Sequence, residues 1–257
     1  MEMRRRGISP LDDGILYVAK FNEDGTGQWL PLTPDNPALA GWTLNDILIN
    51  TRGAADAVGA TKMDRPEDVE ADPVTGRVYI ALTNNTDRGK PGKAAPNEAN
   101  PRTETRDGHI IEIVESGNNP SATSFKWSLF MVCGDPAQGD VTYFSGYPVD
   151  QVSPISCPDN VAFDTAGNLW ISTDGAPSGI GYNDGLFKVT LDGQDRGKVE
   201  QFLSVPRDAE TCGPIIKDDE GMVFVAVQHP GEDGTWGAQN SLFPYDGTPA
   251  PRPSVVQ

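Results

Sequence analysis

Two carboxylates stand at matching places in the chain: Glu67 follows Pro66, Asp159 follows Pro158, and each lies five residues ahead of a turn aspartate, Asp72 or Asp164. Acids that recur at one position of a repeated unit point the same way, and converging carboxylate oxygens are the ligands that hard cations such as Ca²⁺ take. Arg65, two residues before Glu67, adds a planar guanidinium whose paired N–H groups match two oxygens of a phosphate. In a third unit Gly213 falls at the matching place, and the nearest acid is Glu210, three residues earlier, expected to reach the same point from the preceding loop. The plainer reading is that these acids are solvated strand ends and that Arg65 serves a surface ion pair. Asp72, Asp164 and Asp218 themselves read as turn residues, since Asp followed by Gly between two strands is ordinary turn chemistry. His109 opens an apolar run and reads as structural, whereas His229, in Gln228-His229-Pro230-Gly231-Glu232, stands at a strand end where a functional loop residue fits. The chain has no nucleophile elbow, P-loop or EF-hand loop.

The elements that must carry these groups are strands. Short runs rich in β-branched and aromatic residues, bounded by Gly, Asp, Asn or Pro, recur over residues 15–21, 77–82, 109–114, 124–132, 168–173, 186–191, 198–205 and 222–228. Residues 43–59 alone predict a helix of any length, with Thr43 three residues before Asp46 as a capping box and Leu44, Ile47, Leu48, Ala55 and Val58 as its apolar stripe. Residues 66–80, 158–171 and 214–225 share one pattern, a short strand, an Asp-to-Gly turn and a second strand with a central aromatic. A looser copy spans residues 11–18. Such a unit is the inner hairpin of a propeller blade, repeated because each blade must pack on its neighbours around a channel. Three or four blades of about 40 to 50 residues are too few for an easy closed ring, so the sequence predicts a partial propeller. Residues 86–108, which contain no Val, Ile, Leu or Phe, and residues 134–156 are long insertions, read as disordered or as lids over one face.

The composition narrows the partners. With 37 acidic against 20 basic residues the net charge is -17, which repels nucleic-acid backbones and anionic lipid. No stretch approaches the roughly 18 apolar residues of a membrane span, and Arg4-Arg5-Arg6 is followed by Gly7-Ile8-Ser9-Pro10 and not by an apolar segment, so no export signal is expected in this chain. Cys133, Cys157 and Cys212 are widely spaced and odd in number, with no metal-binding pair; one disulfide is possible and none is indicated.

The run Asp64-Arg65-Pro66-Glu67-Asp68-Val69 through Tyr79-Ile80-Ala81-Leu82-Thr83-Asn84-Asn85-Thr86 resembles the PhoX-type alkaline phosphatases. The likeness continues in order through Asn100-Pro101-Arg102, Gly108-His109-Ile110-Ile111, Cys157-Pro158-Asp159-Asn160 with Asn168-Leu169-Trp170-Ile171-Ser172-Thr173-Asp174-Gly175, Glu210-Thr211-Cys212-Gly213 and Gln228-His229-Pro230-Gly231-Glu232. It also includes Leu16-Tyr17-Val18-Ala19-Lys20-Phe21-Asn22 ahead of the Arg-Pro-Glu run. The resemblance implies an all-β, six-bladed propeller of which residues 1–257 form roughly the C-terminal half, with long loop insertions and one short helix. It implies hydrolysis of small phosphomonoesters, periplasmic or extracellular, by a cluster of Ca²⁺ and Fe³⁺. Metal ligands would map onto Glu67, Asp159 and Glu210, and Arg65 would be the catalytic, substrate-binding residue that contacts phosphate or braces the cluster. The family's N-terminal half, with its Thr-Cys-Glu-Glu metal segment and export signal, has no counterpart here, so the ligand set is incomplete and little activity is expected of the chain alone. A missing N-terminal half is the partner this implies. A calcium-dependent propeller lactonase and a non-enzymatic propeller binding module are the alternatives; Arg65 beside Glu67 favours phosphate.

Overall fold

Strand-forming residues dominate because each apolar run is short and closed by a turn. In the computed structural model, residues 14–247 and 250–257 are described, and they divide into two compact units. The described part of the first runs from residue 14 to Lys62, with Glu115–Trp127. Its hairpin joins β1 (Tyr17–Phe21) to β2 (Thr26–Pro31), and β2 pairs in turn with residues 124–126. Phe21 packs edge-on against both Phe125 and Trp127, at 5.3 and 5.4 Å. Among the described residues the Tyr17 strand pairs with β2; the turn of that looser copy, residues 11–13, lies outside the described residues, as does Arg4-Arg5-Arg6.

The single helix expected over residues 43–59 is two: α1 (Leu44–Ile49) and α2 (Thr51–Val58). The Thr43–Asp46 capping box forms as expected. Asn50 then leaves the helical region at φ -114°, ψ 52°, and its side-chain oxygen accepts from Gly53 N–H, so it ends one helix by capping the next. The break rotates the apolar stripe: Ile47 and Ala54 are buried, with Leu32 and Leu39, whereas Leu44 and Leu48 stay exposed.

The second unit, Met63–Val114 with Ser128–Gln257, contains the blades. The first sheet runs β3 (Pro66–Ala71), β4 (Val78–Leu82), β5 (His109–Glu115) and β6 (Ser124–Val132), with β7 (Tyr143–Phe144) on β6. The second is four-stranded: β8 (Pro158–Phe163), β9 (Leu169–Thr173), β10 (Gly185–Val189) and β11 (Val199–Ser204). The third has β12 (Glu210–Lys217), β13 (Met222–Gln228) and β14 (Ser254–Val256). All described pairings are antiparallel, and β3, β8 and β12 are the first strands of three successive blades; the fold is a partial β-propeller. One further helical turn, α3 (Ala176–Gly179), was not anticipated.

The core joins Tyr79, Ile110, Phe130 and Phe144 to Ile171, Phe187 and Val189. Two turn aspartates close their own hairpins: Asp72 accepts from Val74 N–H at 2.9 Å, and Asp164 accepts from Asn168 N–H and from the Trp170 indole at 2.8 and 3.0 Å. Asp218 instead accepts from Thr165 N–H of the preceding blade at 3.0 Å. Residues 86–108 have defined structure of their own. They fold around buried charge: Arg88, 1% exposed, pairs with Asp64, and Arg102 Nη1 donates to the Cys133 carbonyl at 2.7 Å. His109 opens β5, buried, with Nε2 against the Ala99 carbonyl at 2.9 Å, and burial lowers its pKa to about 4.

Candidate functional site

The first strands start from one repeated corner. Arg65 and Cys157, each just before a proline, adopt left-handed φ values of 47° and 54°, a conformation that non-glycine residues hold only where surrounding structure fixes it. The fixing bonds are equivalent: Thr83 N–H donates to the Arg65 carbonyl at 3.1 Å and Asp174 N–H to the Cys157 carbonyl at 3.0 Å. Adjacent first strands are tied by side chains one residue past the matching acids. Asp68 accepts from Val161 N–H at 2.9 Å, and Asn160 from Gly213 N–H at 2.8 Å.

This stacking places Glu67, Asp159 and Glu210 at the same end of the three strands, with Asp174 just after β9; among the described residues the three predicted ligands do not meet as one ligand group, and Glu210 meets His229 and Glu232 instead. Asp159 is pushed up to about 6, first by burial, then by repulsion from Asp174, Glu67 and Asp68, with Arg65 opposing. Glu210 is pushed up to about 7 by burial and by Asp174, against the pull of His229 and Gln228. Asp174 therefore joins the two acids into one electrostatic unit. Its loop is shaped by Asp184, a buried carboxylate that accepts from the Thr173 hydroxyl at 2.6 Å and from Gly175 and Ala176 N–H at 3.0 and 2.9 Å.

His229, at φ 31°, lies with Nε2 2.8 Å from Glu210 and Nδ1 2.6 Å from Glu232. One ligand atom from each of these three residues falls within 4.8 Å of the others. They border a cleft of about 300 Å³ that Asp174, Asp184 and Asp208 also line. Carboxylates raised by burial and then by mutual repulsion form a site in need of positive charge, and an oxygen-rich donor set suits a hard cation such as Ca²⁺. Arg65 supplies some of that charge: Nη2 lies 2.9 Å from Glu67 and Nη1 donates to Asn84 at 3.2 Å, with the side chain 54% exposed.

Glu210 does not arrive from a loop, as the sequence suggested; it opens β12, paired with Gln228, and a register shift between Cys212 and Ile215 displaces the strand that follows. Three residues were not chosen from sequence. Asp174 has Thr83 at its equivalent in the first blade, so the repeat carries no acid signal there. Glu232 was visible only as part of the Gln-His-Pro-Gly-Glu run, and Asn84 only as one of a polar string. The three cysteines are free, two of them buried. Cys157 is held by the Arg106 carbonyl at 3.1 Å, and burial raises it to about 11.

With this geometry in hand, comparison with known proteins gives a family and a fold. The family model described as alkaline phosphatase PhoX matches residues 2–231. Among solved structures, Pseudomonas fluorescens PhoX in complex with vanadate, a transition-state analogue, superposes with a TM-score of 0.80 at 34% sequence identity. The match covers 98% of this chain and 45% of that one, so the chain spans less than half the length of that protein. No curated protein gives a significant match.

Proposed function

The chain belongs to the alkaline phosphatase PhoX family, and from that premise we propose that it provides one part of a metal-dependent phosphomonoesterase, the part that binds the phosphoryl group and holds Ca²⁺. The observation that carries this reading is the alignment of acids at one end of three successive blades beside a single guanidinium. Glu67, Asp159 and Glu210 contribute carboxylates to a cluster of cations, with Asp174 in the same anionic wall, and Glu210 shares its ion with His229 and Glu232, the three whose ligand atoms lie within 4.8 Å of one another. Arg65 faces two phosphoryl oxygens with its planar fork, and its contact with Glu67 ties substrate position to the acidic group.

A bound cation supplies charge that offsets the oxygens of the transferring phosphoryl group and lowers the pKa of an oxygen nucleophile. Fe³⁺ belongs to the complete ligand set that the family resemblance implies, and the acids of this chain are the calcium-binding share of it. The substrate class is a small phosphomonoester. The compartment is periplasmic or extracellular, and among the described residues no helix is long and apolar enough to cross a membrane.

The test is Ca²⁺-dependent hydrolysis of a chromogenic phosphomonoester by the chain alone and mixed with the N-terminal half of a related PhoX protein. Turnover on mixing, lost with Glu67→Ala or chelator, supports the proposal. A folded chain that binds no calcium and turns over no substrate in either sample refutes it.

A further inference from the structure

Resting on the phosphatase reading, we propose that Asn84 is a positioning residue that fixes the direction of the Arg65 guanidinium for binding an oxyanion. Two consecutive residue pairs face each other at the start of the first blade. Asn84 Oδ1 accepts from Arg65 Nη1 at 3.2 Å, and Asn85 Nδ2 donates to Asp64 Oδ1 at 2.8 Å. The second pair is anchored in the interior. Asp64 N–H donates to Asn100 Oδ1 at 2.9 Å, the Asp64 carboxylate pairs with Arg88, and Arg88 Nη1 donates to the Ala95 carbonyl at 2.7 Å. Asp64 and Arg88 are 0% and 1% exposed. The polar insertion is thus the foundation on which the arginine corner stands.

Arg65 is otherwise a long, half-exposed side chain, free to sample many rotamers. One contact to Glu67 leaves the planar group able to swing about that bond. A second acceptor on Nη1 fixes its plane. Asn84 suits the task because its amide is neutral: it orients the guanidinium without cancelling the charge that an anion requires. The amide is oriented in its turn, Oδ1 toward the arginine donor and Nδ2 toward Cys157 Sγ at 3.9 Å. An aspartate at this place would keep Arg65 ordered and compete with phosphate for it.

The test uses the full chain with saturating Ca²⁺, reading Arg65 Nε–H order by ¹⁵N relaxation and inorganic phosphate binding by calorimetry. Asn84→Ala is expected to release the Arg65 side chain and weaken phosphate about tenfold, the loss of one hydrogen bond to a charged group. Asn84→Asp is expected to keep Arg65 ordered and still weaken phosphate. In an Arg65→Ala background, Asn84→Ala should cause no further loss. Arg65 order unchanged by Asn84→Ala overturns the inference, as does a phosphate effect of Asn84→Ala that persists without Arg65. If Asn84 orders Arg65 and the parent binds no phosphate, the phosphatase reading falls and the oxyanion falls with it, while the contact stands.

Discussion

For the calcium site proposed above, lowering the pH from 8 to 5 should release the cation far more steeply than from a site of ordinary carboxylates. Metal ligands must be deprotonated, so protons compete with the cation at Asp159 and Glu210, which lie at about 6 and about 7. At pH 8 both are almost wholly ionised. At pH 5 about a tenth of Asp159 and about a hundredth of Glu210 remain ionised, so apparent affinity falls about a thousandfold, or about 4 kcal/mol. Two carboxylates at their ordinary values of 3.8 and 4.5 would lose less than about twofold over the same range. Calorimetric calcium titrations at fixed ionic strength measure the change. At pH 6.5, titrations in buffers of different ionisation enthalpy should show about one proton released per ion. A twofold change in affinity with no proton release would refute the argument that these two acids share a cation.

The same shifts govern the metal-free chain with the opposite sense. Both acids hold a proton more tightly folded than unfolded, so their contribution to stability is greatest below 3.8 and 4.5 and is lost as pH rises through about 6 and about 7. The double variant Asp159→Asn/Glu210→Gln should therefore melt above the parent at pH 8 in chelator, with the gain gone at pH 4, read by calorimetry. Arg88→Met leaves Asp64 charged and buried, and should cost about 3–5 kcal/mol in urea unfolding, part of it recovered by adding Asp64→Asn. Gly197→Ala should be severely destabilising, because φ is 91° and an added Cβ would collide with the Phe144 carbonyl oxygen; a thermal midpoint equal to the parent's would contradict that packing.

The blade hairpins were legible because their signal is local. β-Branched and aromatic runs closed by Asp and Gly turns specify strands such as Ser124–Val132 and Met222–Gln228 to the residue. The shared position of Glu67 and Asp159 was legible for a related reason, since repetition at one register position marks a shared direction. Asp174 was not, because its role comes from the end of a neighbouring strand and no repeat carries it. The helix break at Asn50 leaves no mark on the apolar spacing, because one amide, competing for a cap, outweighs a stripe that runs through it. Residues 86–108 read as loose because hydrophobic patterning is blind to a core built from Asp64, Arg88 and Asn100.

The ties between first strands have a polarity. Asp68 reaches forward to Val161 and Asn160 reaches forward to Gly213, each blade lending an acceptor to the backbone of the next. At the third blade the residue in the equivalent register is Cys212, opposite Ala226 as Asp68 is opposite Ala81, and its thiol turns to the Ala226 carbonyl of its own blade. The series is a directed relay that stops at β12. A disturbance at the start of the first blade can pass along it to the second and third, whereas any strand that abuts the far side of β12 must be gripped by other means.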